Sequence, residues 1–274
     1  MTRLPVRLQF PSALTRHRQL FWRLSEREVS GRYRGSALGW SWSFLQPLLM
    51  LAVYSFVFSE VFQSRWGNDP SGERGPLAFA INLFAGLIVF NLFSECASKA
   101  PTLILHHSNY VTKVVFPVEL LPAVTVASAS FHALTSLAVL GVFQLISNGS
   151  IPPSMLWLPL VWLPLLLGSL GVSWCLSALG VFLRDIDQLV SVSLSMLMFL
   201  SAVFYPLAAL PPAWQPLLGL NPLVRVIEET RRVCVMNLAP HSSYLLLGTG
   251  LSLIFCEISF RAFQRARRGF ADVL

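Results

Sequence analysis

Polar positions along this chain are grouped rather than scattered. About forty residues rich in arginine come first, and from residue 40 apolar residues fill almost every position up to 62. Five more apolar runs follow, at 77–96, 116–146, 155–183, 189–205 and 244–260. Crossing a bilayer takes about 20 predominantly apolar residues in a helix. The first four runs reach that length, and the last two fall slightly short. The pattern predicts an all-α membrane protein with six transmembrane helices. An arm over 1–39 precedes a single transmembrane domain over 40–274.

The stretches between the runs carry their own signals. Residues 12–34 hold many arginines, with Leu20, Phe21 and Leu24 on one side of a helix and Trp22 and Val29 off that side. This moderate amphipathicity predicts a helix lying on the membrane surface; the competing reading is a solvated basic arm. The segment 206–240 is apolar but broken by Pro206, Pro211, Pro212, Pro216 and Pro222. Proline removes a backbone donor and stops helices. Asn221–Pro222 reads as an N-cap followed by proline at the first helical position. Arg225/Glu229 and Glu228/Arg232 are four apart, spaced to pair along that helix. Two short re-entrant helices are expected here, the second near 222–235. Irregular backbone at membrane depth must be buried or line a water-filled path, which makes the segment a gate candidate.

Composition agrees. Of 274 residues 54% are hydrophobic and 12% charged, with mean hydropathy +0.62, whereas soluble domains hold about 25% charged residues. The net charge of +7 reports orientation rather than nucleic-acid binding. With the N-terminus inside, fifteen Lys and Arg flank the spans on the cytoplasmic side and five on the outer side, as the positive-inside rule requires. Both termini then lie in the cytoplasm, and the segment 98–117 faces inward. The first apolar run starts too late for a cleavable signal. The four cysteines, Cys96, Cys175, Cys234 and Cys256, are far apart and form no CxxC, so neither a disulfide framework nor a zinc site is expected.

Candidate chemistry is sparse. A P-loop needs Gly-rich residues before Lys-Ser or Lys-Thr, and the two lysines stand in Lys99-Ala100 and Lys113-Val114. The chain cannot hold ATP in that way; ATP-driven work requires a partner. Adjacent His106 and His107 point apart on a helix and are no metal pair. His132 lies inside the third run, where a hydrogen bond across a helix interface is expected ahead of a proton relay. Glu95 and Glu257, near the cytoplasmic ends of their runs, are placed to reach the interface or to pair with arginines of the arm. Arg184, Asp185 and Asp187 read as a solvated turn, and Asn148-Gly-Ser150 as a chance glycosylation pattern. No catalytic or metal-binding set is found. Trp40 and Trp42 mark the inner boundary. Tyr54, Phe58 and Phe62 follow at four-residue spacing and form one stripe, which serves either packing or a lining along which sugar faces slide.

Three stretches resemble one family. Arg32-Tyr33-Arg34, Ser36, Leu38-Gly39, Trp42 and Pro47 are similar to the start of ABC-2 type permeases for polysaccharide export. Residues 108–122, SNYVTKVVFPVELLP, resemble the family's cytoplasmic segment between spans two and three. Phe204-Tyr205-Pro206, Asn221-Pro222, Ile227-Glu228 and Arg231 resemble its region before the last span. The resemblance covers nearly the whole chain, in order; His106-His107 and the proline-rich outer segment depart from it mildly. It implies a homodimeric permease of the bacterial inner membrane for lipid-linked polysaccharide, working with two copies of a separate ATPase. No cofactor is implied in this chain, since the partner binds ATP. Arg23, Arg27, Arg32 and Arg34 would belong to an interface helix. Asn109, Tyr110, Lys113, Phe116 and Pro117 would couple to the ATPase. Trp42, Tyr54, Phe58 and Phe62 would line the substrate path. Tyr205, Pro206, Asn221, Pro222, Glu228 and Arg231 would form the outer gate. Gly35 and Gly39 would turn the arm into the first span. The competing expectations are an ABC-2 exporter of a drug or small lipid, and a non-transporting scaffold or membrane-embedded transferase.

Overall fold

The computed structural model describes residues 9–57, 76–112 and 116–273. All regular structure among them is helical. Two short helices, α1 (Gln9–Arg16) and α2 (Arg18–Tyr33), make the arm; α3 (Trp42–Phe56) and α4 (Pro76–His106) follow. Next come α5 (Ser108–Thr112), α6 (Leu120–Asn148), α7 (Leu158–Phe182) and α8 (Ile186–Leu200). The chain closes with α9 (Gln215–Gly219), α10 (Pro222–Cys234), α11 (Ser242–Ala266) and α12 (Phe270–Val273).

The organising element is α4. Every residue from 79 to 90 is buried, so this helix, apolar on all sides, is enclosed by protein rather than exposed on one face. α6, α7 and α10 pack against it, with α3 and α8 at its flanks, and α11 lies along α7. Glycines permit the closest approaches. Gly171 faces Phe255 and the Cα of Cys256, and Gly180 faces the carbonyl of Pro101. Pro101 sits inside α4 without ending it.

Among the described residues, four helical stretches are long and apolar enough to cross a membrane: Ala78–His106, Leu120–Ser147, Pro153–Phe182 and Ser242–Val273. α8 is apolar but shorter, at 15 residues, and α3 is apolar over the 15 residues described for it. The chain is therefore a multi-pass helical membrane protein. The expected second run ended at 96, but the helix continues ten residues further, through Pro101. Much of the predicted inward segment 98–117 is thus the end of α4, because a proline costs one hydrogen bond and α7 packs against the helix at that point.

One local expectation is corrected and one detail is new. The new detail is that α2 buries Ser25, Val29 and Tyr33, while Leu20, Phe21 and Leu24 stay half-buried. Val29 is 6% exposed and Trp22 70%. The buried stripe runs at four-residue intervals against α6, and its Ser25 hydroxyl is satisfied by the Phe21 carbonyl at 2.8 Å. A face of serine, valine and tyrosine carries only a weak apolar signature. On α10 neither expected i,i+4 ion pair forms. Arg225 Nε donates to the Gly219 carbonyl and Arg232 Nε to the Ala239 carbonyl. Glu229 receives the Nδ1 and backbone N–H of His241, at 2.6 and 3.0 Å. Loop groups lacking partners of their own outcompete the side-chain pairs.

Candidate functional site

A cavity of about 1230 Å³ opens between α2, α3, α4 and α6. Its walls mix rings and polar groups: Gln46 and Tyr54 from α3, Asn91 from α4, and Thr125 and Thr135 from α6. Arg27, Arg32 and Arg34 reach it from the arm, and His107 and Tyr110 from the turn after α4. Gly35 and Gly39 adopt φ of +85° and +50°, conformations that glycine reaches without steric cost, and there the arm turns into α3. Trp40 stacks edge-on against Phe131 at 5.7 Å, while Trp42 is partly exposed. Tyr54 does face the cavity. Phe58 and Phe62 fall outside the described residues, so the stripe is visible at its first member.

Charges gather at one end of the cavity. Glu95 lies 3.0 Å from Arg32 Nη1, 3.0 Å from Lys99 Nζ and 2.9 Å from His132 Nδ1. Lys99 also meets Glu28 at 3.3 Å. His132 Nδ1 stands 3.0 Å from Arg32 as well. One ring nitrogen either donates to the carboxylate or accepts from the guanidinium, so the tautomer decides which bond exists. Two expectations are met: His132 bonds across a helix interface, and Glu95 pairs with an arginine of the arm. Tyr33 packs edge-on against His132, and burial pushes its phenol up. Glu257 takes the Phe10 backbone N–H at 3.4 Å and Arg261 at 2.6 Å, tying the arm to α11.

At the same end α5 is short and held from outside. His107 stacks on Tyr110, and Tyr110 on Phe116 at 4.5 Å. Arg267, just past α11, reaches the Glu119 carboxylate at 2.7 Å and the Phe116 carbonyl at 3.3 Å. Trp174 of α7 donates its indole N–H to the Glu119 carbonyl at 3.1 Å. Of the proposed coupling residues, Asn109 is exposed, Tyr110, Phe116 and Pro117 are half-buried, and Lys113 lies outside the described residues. On the arm, Arg23 points outward.

The opposite end is fastened by Arg231. Its side chain is fully buried. Nε donates to the Asn82 carbonyl (3.0 Å), Nη1 to Ala202 (2.9 Å) and Nη2 to Val203 (2.6 Å), with Glu228 3.1 Å from Nη1. Arginine keeps its charge in proteins, and five fixed donors suit a ring of peptide oxygens. Gly86 leaves the room: a Cβ there would lie 2.7 Å from Arg231 Nη2. Ala202 takes a left-handed φ of 53°, which turns the chain so that its carbonyl meets the guanidinium. Asn221 caps α10, accepting from the Leu223 N–H at 3.0 Å and donating to Ser201 Oγ at 3.1 Å. Pro222 follows at the first position. Tyr205 donates to the Phe199 carbonyl at 2.7 Å, and Pro206 precedes a short 3₁₀ turn. The gate residues named from sequence are thus brought together around α10. The sequence reading assigns no site role to Glu28, Lys99, Glu119 or Arg267. Only the i,i+4 spacings of Glu28/Arg32 and Glu95/Lys99 could have pointed to any of them.

The profile of ABC-2 type transporters matches residues 19–233. The chain belongs to the ABC-2 type transporter family. Among individual relatives, the O-antigen export system permease protein RfbA of Myxococcus xanthus is 28% identical over 94% of this chain and 96% of its own length. A Klebsiella pneumoniae protein of the same name is 24% identical over 92% and 93%. The polysialic acid transport protein KpsM of Escherichia coli is 21% identical over 88% and 92%. The ABC-2 match starts within α2 and ends in the last turn of α10. It takes in the charge cluster, the cavity, α5 and Arg231, and leaves α11 and Arg267 beyond it.

Proposed function

We propose that this chain is the permease subunit of an ABC exporter that moves lipid-linked polysaccharide across the bacterial inner membrane. It works as a homodimer with two copies of a separate ATPase, which bind the ATP. α3 and α8 act with the four longer helices as six spans, both termini lie in the cytoplasm, and α9 and α10 form a re-entrant outer gate. α2 and α5 face the ATPase.

The observation that carries this reading is likeness, over nearly the whole chain, to a permease named for O-antigen export and to a protein named for polysialic acid transport. The cavity supports it chemically. Aromatic rings beside amides and hydroxyls offer many weak contacts, which suit a sliding polymer better than one tight site. The apolar faces of α3 and α8, with Phe44, Leu48, Val53, Met196 and Phe199 exposed, leave surface for a second copy, and closed two-fold dimers are the commonest assembly. The test is purification together with a partner ATPase, followed by mass analysis of the bound lipid. A glycolipid carrying a repeating saccharide is expected; recovery of a small amphiphile alone would overturn the polysaccharide assignment.

A further inference from the structure

The polarity of the charges joining α2 to α4 points to a device for fixing register. α2 carries Glu28 and Arg32 one turn apart, and α4 carries Glu95 and Lys99 one turn apart. The helices meet antiparallel: Glu28 faces Lys99 at 3.3 Å and Arg32 faces Glu95 at 3.0 Å. α2 packs its Ser25/Val29/Tyr33 face on α6 and reaches α4 through these longer side chains. Exposed ion pairs contribute little stability, about 0–1 kcal/mol in general, and Glu28, Arg32 and Lys99 are each some 37–42% exposed. Adhesion is therefore a poor account of why four charges gather here. Their order gives a better one. A slide of one helical turn, about 5.4 Å, sets Arg32 against Lys99 in one direction and Glu28 against Glu95 in the other. Every one-turn slip replaces attraction by like-charge repulsion. Slips of this size are a known way for one packed element to ratchet past another.

We propose that Glu28, Arg32, Glu95 and Lys99 are positioning residues that forbid such slippage. They hold α2 and the inward end of α4, which leads directly into α5, as one rigid body. Glu95, 17% exposed and also bonded to His132, is the pivot. The proposal rests on the reading above in one respect, that α2 and α5 receive the ATPase's motion together. The electrostatic argument itself stands on the geometry.

The test separates attraction from register. The double variant E28K/K99E makes the α2 pair wholly positive and the α4 pair wholly negative, so a one-turn slip trades two attractive pairs for one instead of bringing like charges together, and the repulsion that guards the register is gone. The fourfold inversion E28K/R32E/E95K/K99E restores alternating signs. Spin labels at Q19C and H106C, both exposed positions, report the α2–α4 distance in purified protein. One narrow distance is expected for the native charges, a broadened or split distribution for E28K/K99E, and a narrow one again for the inversion. Unchanged elution as a single species confirms that the double variant still folds. A narrow, native distance in E28K/K99E overturns the proposal. Export is measured in parallel. If the distances behave as expected while polymer export is untouched, the register device stands and the proposed division of labour with the ATPase falls.

Discussion

Gly180 of α7 stands directly against the main-chain carbonyl of Pro101 in α4, so close that a Cβ on the glycine would overlap the oxygen. The two backbones touch with no side chain between them. Since neither can give way as a flexible side chain would, Gly180→Ala forces α7 away from α4. Overpacking of this kind costs about 1–3 kcal/mol and occasionally more. Lower thermal stability of the detergent-purified protein is expected, with loss of export. An unchanged unfolding temperature would show that the helices part more easily than this contact implies.

Arg231 yields a graded prediction. Arg231→Met keeps most of the buried volume but strips the Asn82, Ala202 and Val203 carbonyls of a donor. A buried acceptor left unpaired costs about 1–3 kcal/mol, so this variant should be severely destabilised. Arg231→Lys keeps the charge with fewer, differently aimed donors and should fall between. Thermal unfolding of both, beside the native protein, reads the order directly.

Asn221→Ala removes both the cap on α10 and the bonds toward the end of α8. Losing a side-chain N-cap costs about 1 kcal/mol. Amide exchange should accelerate in the first turn of α10 while α4 stays protected; equal acceleration in both would mean that the cap holds the whole bundle.

Arg267→Ala should touch both stability and partnership. Arg267 is 36% exposed but Glu119 only 11%, so losing the arginine leaves a largely enclosed carboxylate without its cation and costs more than losing an exposed pair. The unfolding temperature should therefore fall. The Phe116–Glu119 segment beside α5 loses its outer support, so retention of the ATPase in a pulldown should drop. Full retention would place the ATPase contact elsewhere.

Much of this is legible in the sequence, for reasons that differ by region. Long apolar runs announced α4, α6, α7 and α11, because crossing a bilayer requires that composition. Asn221–Pro222 announced the start of α10, because cap chemistry is local. The buried face of α2 was not legible: Ser25 and Tyr33 are not core residues by type, and α6 alone decides which side turns inward. The partners of Glu229 and Arg225 were hidden for a related reason. Spacing along one helix cannot foresee a loop that returns to supply His241 or the Gly219 carbonyl. Arg231 was named from resemblance, yet its role depends on carbonyls of residues whose side chains give no hint of it.

That last point has a consequence for how this protein can diverge. The guanidinium of Arg231 is received mostly by peptide oxygens, which every amino acid carries. Residues 82, 202 and 203 can therefore drift without loosening it, so long as the chain keeps its path. A search for positions that change in step with Arg231 would find Glu228 at best, and the fastening of α10 to α4 would pass unnoticed by any method that looks only for paired substitutions.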